Sequence, residues 1–564
     1  MNNKPIVYGL VVALFTGPLP PVWAQQNTTS TYEYDAQGNL TRRIDPRSKP
    51  TVLQYDNLHR NTQITQPAPN AAQPSVQPII RHTYDGQDQL RSVTDPRNLQ
   101  TTYTLNGLGD VSKQVSPDTG TTSMSFDAAG NFKTRLDARN KNHTYTYDAL
   151  NRLTKIDYPS GTDTVFEYDG GTASPPPPNA KGQLTKMTDE SGSTAYSYDG
   201  FGRVISKVQT VGSGSSAKVF NVTYSYGAPT APGEPPNPAT SKLVALTYPS
   251  GNRVVYSYDS AGRINAVSLN PTNTNGSGTN TAVSIALIKD ITYEPFGSVN
   301  GWTWGHAPLD PAPTAANGGK VQRSYDLDGR LTSYPLGHAS QGGVTRTVSY
   351  DASSRITAYT HTLTASGTAQ PSLDQQFSYD DLDRLTAGTQ GSASAAYSYD
   401  LSGNRTQLSI SGAAYPTVVS TTSNRLTSAQ YFTGTGAASR NFSYDAAGNT
   451  TSLTSVANEA LTLSYSDRGR LKSLSKTLSG TAKTISYLYN GLEQRIRKSG
   501  PADQVPTGTL YYAYDEAGSL LAEYTAQQRP VYETVYLHDL PIAVIKQQYS
   551  GSGASLVVTT TAWP

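Results

Sequence analysis

Thirteen Tyr-Asp dipeptides recur along the 564 residues, most of them inside the phrase Tyr-x-Tyr-Asp-x-x-Gly-(Asn/Arg)-Leu. Chance pairing of the 38 tyrosines with the 42 acidic residues gives about three. Clear copies are YEYDAQGNL from Tyr32, YTYDALNRL from Tyr145, YSYDSAGRI from Tyr256, YSYDLSGNR from Tyr397 and YAYDEAGSL from Tyr512. A unit repeated this often sets the architecture, because small supersecondary units bury a core only by stacking on their neighbours. It also argues against reading any one aspartate as catalytic. A residue used a dozen times over serves the backbone.

The stretch Thr144 to Ile156 shows how one unit folds. Tyr alternates with Thr over four residues, which is strand periodicity with β-favouring side chains, so Tyr145 and Tyr147 share a face. Asp148 ends the strand, since its carboxylate can accept the N–H two residues on. Gly usually follows three residues after the Asp and supplies the left-handed conformation of a type I turn with a bulge; here Asn151 takes that place. Leu153 to Ile156 returns as the second strand. The same reading assigns strand and turn roles to Tyr34, Asp35 and Gly38, to Tyr258, Asp259 and Gly262, to Tyr444, Asp445 and Gly448, and to Tyr514, Asp515 and Gly518.

A second turn, rich in Pro or Gly, closes each period: Thr94-Asp95-Pro96-Arg97, or Thr247-Tyr248-Pro249-Ser250-Gly251. The key position falls at Tyr84, Leu105, Phe126, Tyr147 and Tyr168, every 21 residues. Insertions near 170–178, 227–238 and 270–280 carry Pro, Gly, Ser and Asn, and read as surface loops. The expected fold is all-β: about twenty stacked hairpins, or about forty short strands, in one continuous sheet. Open sheets rarely exceed about ten strands without curling, and twist accumulates between neighbours, so such a sheet winds into a spiral shell, closed or open. Tyrosine suits a wall one sheet thick with no dense aliphatic core, because it pairs a large ring with a polar tip.

Composition narrows the function. A net charge of +2 offers no basic field for nucleic acid. No cysteine is present, which removes thiol catalysis, zinc-thiolate sites and disulfides. Lys4, the apolar run Ile6 to Phe15 and Val22-Trp23-Ala24 read as a signal peptide over 1–24, cut between Ala24 and Gln25. The repeat body is expected over 25–546 and an irregular tail over 547–564. No later stretch is apolar enough for a transmembrane span. The seven histidines are scattered singly, no nucleophile elbow or phosphate loop occurs, and the Asp-x-x-Gly turns lack the alternating carboxylates of a calcium loop. No catalytic residue, metal or cofactor is assigned. Trp302 and Trp304 share a strand face, which suits either wall packing or a stacked sugar.

The units Tyr147-Asp148, Tyr258-Asp259-Ser260-Ala261-Gly262-Arg263 and Tyr444-Asp445-Ala446-Ala447-Gly448-Asn449 resemble the YD-repeat, or RHS-repeat, family, as does the stretch from Tyr511 to Ile545. The resemblance implies a hollow β-cocoon around a C-terminal effector, as in polymorphic toxins, insecticidal toxin complexes and teneurins. After Ile545 the sequence departs from the pattern: no His-Thr-Asp-His-Leu-Gly-like segment and no Asp-Pro-x-Gly-Leu motif follows. Self-cleavage and toxicity are therefore not carried over. The expectation is an exported, non-enzymatic shell, the truncated or orphan wall of a carrier. An unpaired edge near Val531 to Ile545 would self-associate or accept a strand. The alternative is an extracellular carbohydrate-binding adhesin.

Overall fold

The computed structural model describes residues 28–560, apart from 71, 230–236, 273–283, 296, 306–318, 338–341, 435, 456–459, 479–480 and 551–552. Ala24, Gln25, His306, His338 and much of the insertions at 227–238 and 270–280 lie outside the described residues. The described residues form 44 strands, in sheets of 23 and 21. Each strand pairs antiparallel with the next, from Thr31–Tyr34 to Lys320–Gln322 in the first sheet and from Ser324–Tyr325 to Gly553–Thr560 in the second.

The hairpins repeat one geometry. Tyr147 faces Leu153, and the register slips between Thr146 and Tyr147, the bulge that a five-residue return demands. Asp148 N–H donates to Arg152 O and Asn151 N–H to Asp148 O, both at 3.0 Å, while Asn151 adopts φ 59°. The turn at the other end of the period uses the same device. Asp95 N–H donates to Leu99 O and Asn98 N–H to Asp95 O, with φ 62° at Asn98. In this part of the chain one turn chemistry therefore serves both rims of the sheet.

Those rims join the two sheets. Arg47 donates to Ser353 and Asp383, 306 and 336 residues away. Arg139 donates to the carbonyls of Ser466 and Asp467, 327 and 328 residues away. Lys207 bonds Asp515 O across 308 residues, and the Tyr248 hydroxyl donates to Thr534 O across 286. The offset stays near 300 residues, so the second sheet retraces the first one tier along. A twisted ribbon of hairpins has come round to meet itself.

Three expectations need correction. The ladder does not stop at Lys546: one strand runs Leu540–Ser550 and another Gly553–Thr560, where Leu556, Val557, Val558 and Thr559 favour extended backbone over an irregular tail. The edge expected near Val531 to Ile545 is paired on both sides, because Pro530–Leu537 lies between Leu520–Thr525 and Leu540–Ser550. A dense apolar core also exists. Phe220, Val254, Val267, Leu269 and Ile288 of the first sheet pack with Ile496, Leu521, Val535, Ile542 and Ile545 of the second. There the sheets meet face to face as well as rim to rim, so aliphatic side chains are buried from both sides.

Candidate functional site at the seam

The repeat residues occupy the wall and its rims. Asp35 Oδ1 accepts N–H groups from Gln37 and Asn39, and Gly38 sits at φ 88°. Asp148 accepts Leu150 and Arg152 N–H groups at 2.9 Å while its second oxygen takes Arg152 Nε at 2.7 Å. Asp259 holds Arg263 in the same way; Asp445 and Asp515 accept the N–H groups of Asn449 and Ser519. Gly262, Gly448 and Gly518 all have positive φ. At Gly448 a side chain would also strike the Asp118 carbonyl across the seam, so the residue there must be small for two reasons.

The tyrosines do more than tile. Tyr147 donates its hydroxyl to Phe132 O at 2.9 Å, Tyr258 to Leu243 O, Tyr444 to Leu426 O and Tyr514 to Arg495 O. Each bond ties a hairpin to the return strand of the one before it, which alternation alone does not reveal. Tyr34 begins the series, 62% exposed.

The seam gathers buried polar groups. Arg139 is 12% exposed on its side chain and pairs with Asp137 while capping Ser466 and Asp467. Asp189 accepts Gly491 N–H at 2.6 Å, and Arg468 lies 3.6 Å from Glu190. Glu533 is fully buried, with its oxygens on Tyr524 Oη at 2.6 Å and Asn252 Nδ2 at 2.7 Å. Burial pushes the carboxyls of Asp189, Glu190 and Glu533 above the ordinary range. The arginine staples were not read from the sequence. The available signal was a cation two residues after the turn aspartate in Asp45-Pro46-Arg47, Asp95-Pro96-Arg97 and Asp137-Ala138-Arg139, where a turn alone needs none.

Beside this seam lies a cleft of about 740 Å³. Tyr224, Tyr226, Tyr248, Tyr256, Tyr258 and Tyr293 line it from the first sheet, and Asp515, Glu516, Leu521, Tyr536 and His538 from the second. Lys242 and Arg263 cover the rings of Tyr258 and Tyr293. Trp302 and Trp304 pack edge to face at 5.6 Å, but Trp302 is only 4% exposed and belongs to the apolar core. Among the described residues no cluster of three His, Asp or Glu side chains could hold a metal ion.

A family model described as Teneurin YD-shell matches residues 315–548, and one described as RHS Repeat matches 34–71, 84–122, 126–163 and 179–215. No curated protein matches the sequence. Among solved structures, the Photorhabdus luminescens Tc holotoxin pore aligns with 95% of this chain and 28% of its own, at TM-score 0.68 and 17% identity. The TcdB2-TccC3-TEV structure aligns with 91% of this chain and 30% of its own, at TM-score 0.59 and 16% identity. A third, TcdB2-TccC3 without its hypervariable C-terminal region, covers 94% and 30%, at TM-score 0.54 and 15% identity. At these identities the likeness is one of fold, and this chain spans less than a third of each.

Proposed function

This chain belongs to the YD-repeat, or RHS-repeat, family and folds as a shell similar to those of Tc toxins, and from that premise we propose that it is wall material: a non-enzymatic, exported carrier shell that encloses a polypeptide. The observation that carries this reading is the seam. Sheets that meet rim to rim at a steady offset of roughly 300 residues make a curved wall two tiers deep, which is useful for holding a space. The signal-like residues 1–24 support export, and no described helix is long and apolar enough to cross a membrane. Gly553–Thr560, paired on one side among the described residues, offers an edge at which a further strand adds to extend or close the wall.

Electron microscopy of the purified chain tests the wall, and a protease assay tests the enclosure. Class averages should show a curved shell around a solvent-filled lumen; a filled particle overturns the reading. A reporter polypeptide appended after Pro564 should be cut more slowly than the same reporter released. If the lumen is present and the reporter is cut at the free rate, the wall stands and the carrier falls. Light scattering that shows a mass rising with concentration supports strand addition. N-terminal sequencing of exported protein should begin at Gln25.

A further inference from the structure

We propose that the wall opens on one side: the polar half of the seam is a latch, and the apolar half is the hinge on which the second tier swings away from the first. The two halves differ in what holds them. Where 204–321 meets 488–545 the sheets share the aliphatic core, and Phe220 packs against Tyr511 and Tyr524 at 5.4 and 5.2 Å. Where 45–143 meets 353–470 they share none. Among the described residues no Val, Leu, Ile, Met, Phe, Tyr or Trp of 31–179 is buried. Of 350–495 only Tyr415 is, and its ring packs on Phe432 of its own sheet.

Polar groups close that half in three clusters. Arg47 donates to Ser353 and Asp383, and Lys49 lies 2.8 Å from Asp381. Arg97 donates to the carbonyls of Ser420 and Ser423 at 2.5 and 2.8 Å, while Asn424 N–H donates to Asp118 Oδ1 at 2.6 Å. Arg139 and Lys141 hold the turn at Ser466 and Asp467. At the middle cluster main chain lies against main chain: a methyl at Gly120 would strike the Ala446 carbonyl, and one at Gly448 the Asp118 carbonyl. Such surfaces part without a side chain being drawn from a pocket.

Ionic strength tells the halves apart. Arg97 and Lys141 keep 18% and 36% of their side chains exposed, so dissolved ions reach the latch and screen its charges. The hinge also holds Lys207 and Glu533, but both are buried, and apolar contact carries no charge to screen. A rise in salt therefore frees the latch while the hinge holds, which is the geometry of hinged opening. The opening stands on the seam alone; its use, as the way in or out for an enclosed polypeptide, rests on the carrier reading.

The chain has no cysteine, so introduced pairs carry spin labels cleanly. Asn142→Cys with Thr462→Cys flanks the latch, and Val219→Cys with Gln527→Cys flanks the hinge; all four residues are exposed. Pulsed electron paramagnetic resonance of the full chain reads each distance at about 0.1 M and about 1 M sodium chloride, between which the screening length falls from about 10 Å to about 3 Å. Arg97→Ala is added to both pairs, and circular dichroism confirms that each variant keeps its sheet. A shift of the latch pair to a second, longer distance, at high salt or in Arg97→Ala, with the hinge pair fixed, supports the proposal. It is overturned if the latch pair keeps one short distance throughout, or if the hinge pair lengthens with the latch or before it. A latch that stays shut leaves the shell reading standing. A single wide latch distance in the parent at low salt would remove the seam, and the shell reading with it.

Discussion

Tyr147 and Tyr34 hold the same place in their hairpins but differ in what lies before them. The Tyr147 hydroxyl donates to Phe132 O, whereas Tyr34 opens the described ladder, largely exposed. Tyr147→Phe should therefore lower stability by about 1 kcal/mol, while Tyr34→Phe should stay within about 0.5 kcal/mol. Denaturant melts followed by circular dichroism give both numbers. Gly448→Ala should cost roughly 2 kcal/mol, since φ 86° strains any side chain and the added methyl meets Asp118 O. At this scale the strand alternation, the aspartate cap and the left-handed turn position were all legible, because they are local. The hydroxyl lock was not: its acceptor is a main-chain carbonyl 15 residues back, which no side-chain pattern marks.

Hairpins, taken as elements, were legible in number and order because each closes on itself within 21 residues or so. Their rims were not. Arg139 reads as an ordinary turn cation until the turn of Ser466 and Asp467 is seen against it. Arg139→Ala removes two carbonyl caps and leaves Asp137, which is 5% exposed, with main-chain N–H donors but without its cationic partner. We expect a loss of roughly 3 kcal/mol in local stability, read as faster hydrogen exchange in 136–142 and 464–470 together. Faster exchange in only one of the two segments would mean that the seam does not couple them. The Gly553–Thr560 strand escaped notice for a different reason: it lacks the Tyr-Asp signature, and its β-branched residues speak only for extended backbone. The aliphatic core was missed because face-to-face contact joins residues about 300 apart, beyond any periodicity a single strand displays.

For the whole molecule, two sets of carboxyls respond to pH in opposite senses. Turn aspartates such as Asp148 and Asp259 are held below their ordinary value of 3.8, chiefly by main-chain N–H groups on the anion. Their contribution is present above that value and is lost as pH falls through the folded value. Asp189, Glu190 and Glu533 at the seam are raised above ordinary values of 3.8 and 4.5 by burial. The seam therefore gains its full carboxyl contribution below those ordinary values and loses it as pH rises through the folded ones. Exchange protection near 248–254 and 522–535, corrected for intrinsic rates, should be greater at pH 5 than at pH 8, and Glu533→Gln should flatten the difference. Equal or reversed protection contradicts the assignment.

The absence of cysteine leaves lysine and carboxylate as the natural cross-linking chemistry, and the seam supplies the pairs. Lys141 Nζ lies 2.7 Å from Asp467 Oδ1, and Lys49 Nζ lies 2.8 Å from Asp381 Oδ2. A zero-length carbodiimide joins only groups already in contact. Applied to dilute protein, with the monomer band taken for peptide mass spectrometry, it should yield the Lys141–Asp467 and Lys49–Asp381 links together with the local Lys155–Asp163 link. Recovery of the local link alone would show that the hairpin ribbon does not come back to meet itself, and the shell would be lost with the seam.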